Sequence, residues 1–170
     1  EVYSKAPEVE LLLNGESLGR AATKENRSAF ETTYRPGELT AVSLDGEREI
    51  SHDTLRSGGE AKDLRICADK KGLPADGETL CFAAVELVDE KGILVPWAEN
   101  KLRVEVNGAA KLLAFGSARP KTEENYTVAH TQAYMGRAMA VLRAGTKAGI
   151  AHLIVRGEGL PDAELSIQIQ

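Results

Sequence analysis

Val9-Glu10-Leu11-Leu12-Leu13-Asn14-Gly15-Glu16-Ser17-Leu18-Gly19 reads as two strands and the turn between them. Val9, Leu11 and Leu13 alternate with Glu8, Glu10 and Leu12, the period of two by which neighbouring strand side chains point to opposite faces. Asn14-Gly15 then supplies two residues that tolerate positive φ, which a two-residue hairpin turn requires. Glu16 to Leu18 is expected to return antiparallel.

The same rhythm continues in both directions. Glu1-Val2-Tyr3-Ser4 already reads as strand, as expected of an excised piece whose first domain is incomplete at its N-terminus. After a polar loop through Lys24-Glu25-Asn26, a strand is expected near Ser28 to Tyr34. Pro36-Gly37 suits a type II turn, Leu39 to Leu44 follows as strand, Asp45-Gly46 turns the chain, and Ile50 to Leu55 closes a set of about five strands. Ser57-Gly58-Gly59-Glu60 reads as a linker that should leave its backbone accessible. Beyond it seven strands are expected: Leu64 to Ala68, Leu80 to Val88, Leu102 to Val106, Lys111 to Phe115, Ala138 to Leu142, Ile150 to Val155 and Glu164 to Ile169. Turn residues separate them at Asp76-Gly77, Glu90-Lys91-Gly92, Asn107-Gly108 and Gly157-Glu158-Gly159, and Gly116 to Gln132 reads as a long surface loop. Short strands with turn signals every 8 to 12 residues or so are the pattern of a sandwich. The expected architecture is all-β: two immunoglobulin-like β-sandwich domains in tandem, residues 1–57 and 58–170. The first is small enough to be marginal alone.

Composition narrows the function classes. The chain has 170 residues, 42% hydrophobic and 28% charged, with a formal net charge of -5, so it can bury a core and offers no basic stripe to a nucleic acid. Its apolar runs are a few residues long, against roughly 20 for a membrane-spanning helix. No nucleic-acid partner and no membrane span are expected.

No catalytic or metal constellation emerges. Gly15-Glu16-Ser17-Leu18-Gly19 satisfies the nucleophile-elbow formula, yet Ser17 follows a hairpin turn and no helix comes after it to furnish an oxyanion hole. His52, His130 and His152 are scattered, and no pair is spaced to close a metal site. The carboxylates alternate outward along strands or sit in turns, whereas glycoside hydrolysis needs two of them facing each other in a cleft. Asp69, Asp76 and Asp89 flank turns, with no oxygen-rich calcium loop around them. Cys67 and Cys81 lie on successive expected strands, so both free thiols and a bridge remain open. Trp97, the only tryptophan, falls in the inter-strand loop Val95-Pro96-Trp97-Ala98-Glu99-Asn100. There an indole can stack on a sugar ring or pack against a neighbouring domain, and Tyr126 and Tyr134 lie near enough in sequence to join such a surface. The expected catalytic and metal residues are therefore none, no cofactor is implied, and Trp97 is the one candidate ligand-binding side chain.

The hairpin at Val9 to Gly19, followed by Tyr34-Arg35-Pro36-Gly37-Glu38-Leu39-Thr40-Ala41-Val42 and Asp53-Thr54-Leu55-Arg56, resembles the small C-terminal domain of family 2 glycoside hydrolases. Leu64-Arg65-Ile66-Cys67-Ala68-Asp69, Ala75-Asp76-Gly77, Val85-Glu86-Leu87-Val88-Asp89 and Gly136-Arg137-Ala138 extend the likeness to the terminal, invasin-like sandwich of the same enzymes. The sequence departs from that pattern at Gly116-Ser117-Ala118-Arg119-Pro120 and at Trp97. The resemblance implies a non-catalytic C-terminal scaffolding fragment of a β-galactosidase-like enzyme. The enzyme's catalytic glutamates would lie on an upstream β/α barrel, which would be this chain's main partner. Glycans are a second class of partner, and the resemblance implies a periplasmic or extracellular setting. Two alternatives come from other classes: a carbohydrate-binding module, and an invasin-like spacer of a surface adhesin.

Overall fold

A computed structural model describes residues 1–170. The chain consists of strands and their connections, without a helix. In the first part the strands are β1 (Val2–Tyr3), β2 (Glu8–Leu13), β3 (Glu16–Ala22), β4 (Arg27–Ser28), β5 (Glu38–Asp45) and β6 (Arg48–Arg56). There follow β7 (Asp63–Ala68), β8 (Gly72–Leu73), β9 (Leu80–Val88), β10 (Lys101–Gly108), β11 (Ala110–Gly116), β12 (His130–Gln132), β13 (Arg137–Ala144), β14 (Gly149–Gly157) and β15 (Ala163–Ile169). The chain divides into two compact units, Glu1–Ser57 and Gly58–Gln170.

In the first unit a four-stranded antiparallel sheet has the order β3-β2-β5-β6, and β1 pairs with β4 in a two-stranded ribbon. Asn14 and Gly15 take φ of 54° and 83°, the two positive values of the hairpin turn. Val9, Leu11 and Leu13 share one face of the sheet with their cross-strand partners Ser43, Ala41 and Leu39. All three apolar β2 residues are buried. The segment before β2 crosses this face, where the Ser4 hydroxyl lies 2.8 Å from that of Ser43.

The expected strand from Ser28 to Tyr34 is largely absent. Only Arg27–Ser28 pairs, with β1, and residues 29–36 form no ladder. Their threonines and tyrosine favour strands only where a neighbouring strand is available to pair. The polar loop at Lys24-Glu25-Asn26 is tighter than its composition conveys. Glu25 and Asn26 have φ of 51° and 62°, and Lys24 and Arg27 exchange two backbone hydrogen bonds of 2.9 Å.

The second unit is an immunoglobulin-like sandwich. A five-stranded sheet, β12-β10-β14-β15-β8, faces a four-stranded sheet, β11-β13-β9-β7. All neighbours are antiparallel except β15 and β8. Alternate residues from both sheets meet in one core, with Cys81, Ala83, Val85 and Leu87 from β9 against Ala151, Leu153 and Val155 from β14. The seven strands read from the sequence are all present. Two short ones, β8 and β12, were not legible, because two or three residues carry no measurable period.

Three connections differ from their sequence reading. Asn107-Gly108 resembles a hairpin turn, but β10 and β11 lie in different sheets. Gly108, at φ 85°, carries the chain across so close to β14 that a Cβ there would sit 2.1 Å from the Ile150 carbonyl oxygen. The segment from Gly116 to Gln132 ends in β12, which pairs with β10, and the Phe115 amide donates to the Tyr126 carbonyl at 2.8 Å. Ser57 to Glu60 is held rather than loose. The Ser57 amide donates to the Gly37 carbonyl at 2.9 Å, and the Gly59 amide donates to Asp89 Oδ2 at 2.8 Å.

Candidate functional site

The exposed tryptophan stands on a turn that the core positions. The Ala98 amide donates to the Val95 carbonyl at 3.0 Å, leaving Pro96 and Trp97 as the two central turn residues. Proline suits the first of these because its φ is already fixed there. Val95 and Ala98 are buried at either end, while Trp97 is 60% exposed. The turn therefore presents the indole outward.

A second turn lies beside it. Tyr134 and Arg137 exchange backbone hydrogen bonds of 3.0 and 3.1 Å, and the Gly136 amide donates to the Ala98 carbonyl at 3.2 Å. Gly136 is obligatory: it has φ 70°, and a Cβ would come within 2.4 Å of the Val95 carbonyl oxygen. Met135 precedes it at φ 50° and is 55% exposed, although positive φ ordinarily selects glycine or asparagine. The Arg119 guanidinium lies over the Tyr134 ring, 5.2 Å from its centroid, and donates to Glu99 Oε1 at 3.1 Å. Tyr134 thus joins the Trp97 end of the sandwich. Tyr126 does not: its ring lies against Gly116, where a Cβ would be 2.1 Å from the ring edge. The sequence reading did not connect Met135 or Arg119 with Trp97, because only the fold brings the Tyr134–Arg137 turn against Ala98 and Arg119 against Glu99.

A concavity of about 680 Å³ lies elsewhere in the second unit, along β10, β12 and the end of β14. Arg103 pairs across strands with His130 on one side and Arg156 on the other, a row of basic side chains. Arg156 is held by Glu105 and Asp162, each at 3.0 Å. Two carboxylates line the groove, Glu124 and Glu158. Glu124 is occupied with the Thr131 hydroxyl at 2.8 Å and the Gln132 amide at 3.2 Å. No phenylalanine, tyrosine or tryptophan lines the groove, so it lacks the large flat apolar surface on which a sugar ring stacks.

The remaining titratable candidates have local partners. Ser17 lies on β3, donating to Glu10 Oε1 at 2.6 Å. His52 meets Glu49 at 2.8 Å and His152 meets Glu164 at 2.7 Å. The three aspartates stabilise turns. Asp76 accepts from the Thr79 hydroxyl and from the Thr79 and Glu78 amides, and these donors pull its carboxyl down to about 2. Asp89 accepts from the amides of Gly59, Lys91 and Ile93, and Asp69 from that of Phe82; both are held below the ordinary aspartate range by these hydrogen bonds. Cys67 is exposed and Cys81 buried. Cys67 pairs with Ala84 on the outward face of β9, whereas Cys81 belongs to the inward set. The two thiols stand on opposite faces and form no bridge.

Residues 64–166 match the family model described as glycoside hydrolase family 2 C-terminal domain 5. The chain belongs to this family. Residues 1–51 match a second model, described as a domain of unknown function, DUF4982. The chain is 30% identical over 170 residues to the β-galactosidase BoGH2A of Bacteroides ovatus, an alignment covering 99% of this chain and 20% of that protein. Among solved structures, a glycosyl hydrolase family 2 member from Bacteroides cellulosilyticus superposes with a TM-score of 0.93 at 33% identity, covering 99% of this chain and 22% of that one. A β-glycosidase from Bacteroides vulgatus shares the fold at a TM-score of 0.90 and 23% identity, covering 96% of this chain and 21% of that one. This C-terminal domain chain thus spans about a fifth of the length of the family 2 proteins it resembles.

Proposed function

We propose that this chain is a non-catalytic accessory part of a family 2 glycoside hydrolase of β-galactosidase type, bracing a β/α barrel that carries the chemistry. The observation that carries this reading is the match of nearly the whole chain, built only of strands, to about a fifth of a β-galactosidase. Two further features support it. Retaining hydrolysis needs two carboxyl groups about 5 to 5.5 Å apart across a sugar-sized cleft, and of the two carboxylates in the groove, Glu124 is already engaged by Thr131 and Gln132. The strongest carboxylate shift, at Asp76, arises from turn hydrogen bonds. In the test, the isolated chain and the longer polypeptide containing it are assayed with aryl β-galactosides and β-glucuronides. Turnover by the longer polypeptide alone is expected; turnover by the purified chain overturns the reading.

The exposure of Trp97, beside Met135 and the Arg119–Tyr134 stack, favours a second reading, a carbohydrate-binding module using Trp97 to stack on a sugar ring. Calorimetry with galactans separates the two. The accessory reading expects affinity no better than millimolar, worth about 4 kcal/mol, whereas a micromolar signal abolished by Trp97→Ala establishes the module.

A further inference from the structure

The outward face of the β11-β13-β9-β7 sheet breaks the rule by which a sandwich sheet alternates apolar inside with polar outside. Strand register arranges this face in rows. Ala114, Val141 and Phe82 form one; Gly116, Met139, Ala84 and Cys67 form the next. Phe82 is 44% exposed and Met139 40%. The Tyr126 ring lies over Gly116, which has no side chain to obstruct it, and extends the second row. Leu113 is pushed out at the bulge between Leu112 and Ala114.

Charged rows border this band on both sides. Lys111 pairs with Arg143 on one. On the other, Arg137 and Arg65 flank Glu86, reaching its carboxylate at 3.1 and 2.7 Å. Burial opposes ionisation of Glu86, but the two guanidinium groups outweigh it and hold the carboxyl below its ordinary range. The edges of the band thus carry four cationic groups and two carboxylates, Glu86 and Asp69, the latter accepting the Phe82 amide at 2.8 Å at the end of the first row, on a chain whose net charge is -5. With strands about 4.8 Å apart, the apolar band covers roughly 300 Å², the size of the largest apolar patch on a typical monomer, which is often functional.

We infer that this sheet face is the surface through which the accessory unit docks onto the rest of its parent polypeptide, against an apolar protein surface edged with carboxylates. The inference rests on the accessory reading above. Two observations select that occupant: the relatives carry about four-fifths of their length outside the matched region, and the cationic borders call for acidic edges on the partner.

Cys67 reports on this face directly, because it is exposed on the second row while the only other cysteine, Cys81, is buried on the opposite side of the sheet. The experiment measures alkylation of Cys67 in the isolated chain and in the longer polypeptide. An interfacial thiol is reached only through local opening, so labelling about tenfold slower or more in the longer polypeptide is expected. The double variant Phe82→Glu, Met139→Glu should restore fast labelling there. Ile150→Glu, at an exposed position on the other sheet, should not. Circular dichroism of each variant as an isolated chain checks that it remains folded. Equal labelling rates in the isolated chain and the longer polypeptide overturn the inference. Concentration-dependent protection of the isolated chain, with a dimer by light scattering, overturns it in favour of a second copy. Glycosidase activity of the longer polypeptide is assayed separately, so loss of the accessory reading and loss of the docking face are distinguishable.

Discussion

Asn14 clamps Glu38 across the first unit: its side-chain oxygen accepts the Glu38 amide at 2.8 Å while its own amide donates to the Glu38 carbonyl at 2.8 Å. The Asn14 side-chain nitrogen also donates to the Pro36 carbonyl at 3.2 Å. The tip of the β2–β3 hairpin is thereby fastened to the Pro36-Gly37 turn that starts β5. Asn14→Ala removes both side-chain bonds and places alanine at φ 54°, costing about 2 kcal/mol in chemical denaturation. Asn14→Gly loses the same bonds without the backbone strain and should cost about 1 kcal/mol. Equal losses would show that strain at this turn is negligible.

The two thiols should behave independently. A thiol reagent at pH 8 is expected to titrate one group per native chain and two after denaturation. Burial pushes the Cys81 thiol up to about 11, leaving almost no thiolate to react, whereas Cys67 is open to solvent. Mass spectrometry of the oxidised native chain should find no internal disulfide.

Acid should weaken the second unit through Asp76. Its carboxyl falls from 3.8 to about 2, chiefly through the Thr79 hydroxyl and amide bonds. A depressed folded-state value adds stability that is fully present above the unfolded value and is lost as pH falls through the folded one. The window is therefore about pH 4 down to about pH 2. Asp76→Asn cannot titrate, so the difference in melting temperature between wild type and variant should shrink across that window. A difference that stays constant would assign the acid sensitivity to other carboxylates.

Limited trypsin digestion should open the chain first at Lys121. This residue is exposed in a stretch without strand pairing, whereas Arg56 ends β6 in a ladder with β5 and the Lys62 amide donates to the Val88 carbonyl at 2.8 Å. Backbone held in hydrogen bonds resists entry into a protease cleft. Early cleavage at Arg56 or Lys62, detected by N-terminal sequencing, would show that the segment from Ser57 to Glu60 opens more readily than its bonds to Gly37 and Asp89 imply.

The sequence alone determined the all-β class, the seven principal strands of the second unit, and the hairpin at Asn14-Gly15. These depend on what each residue does within a few neighbours: alternation assigns faces, and positive φ falls to glycine and asparagine. The order of strands within the sheets depends on contacts between distant residues, and tertiary structure decided it. Asn107-Gly108 has the letters of a hairpin turn yet joins two sheets, because β10 pairs with β14 while β11 pairs with β13. Tertiary structure also withheld a ladder from residues 29–36, set the two cysteines on opposite faces, and gathered Arg119, Tyr134 and Met135 beside Trp97. It alone revealed that Phe82 and Met139, 57 residues apart in the chain, lie in adjacent rows of one exposed face. Local pattern fixes which side of its own strand a residue occupies; what lies beside it is set by strand pairing, which depends on packing the whole core.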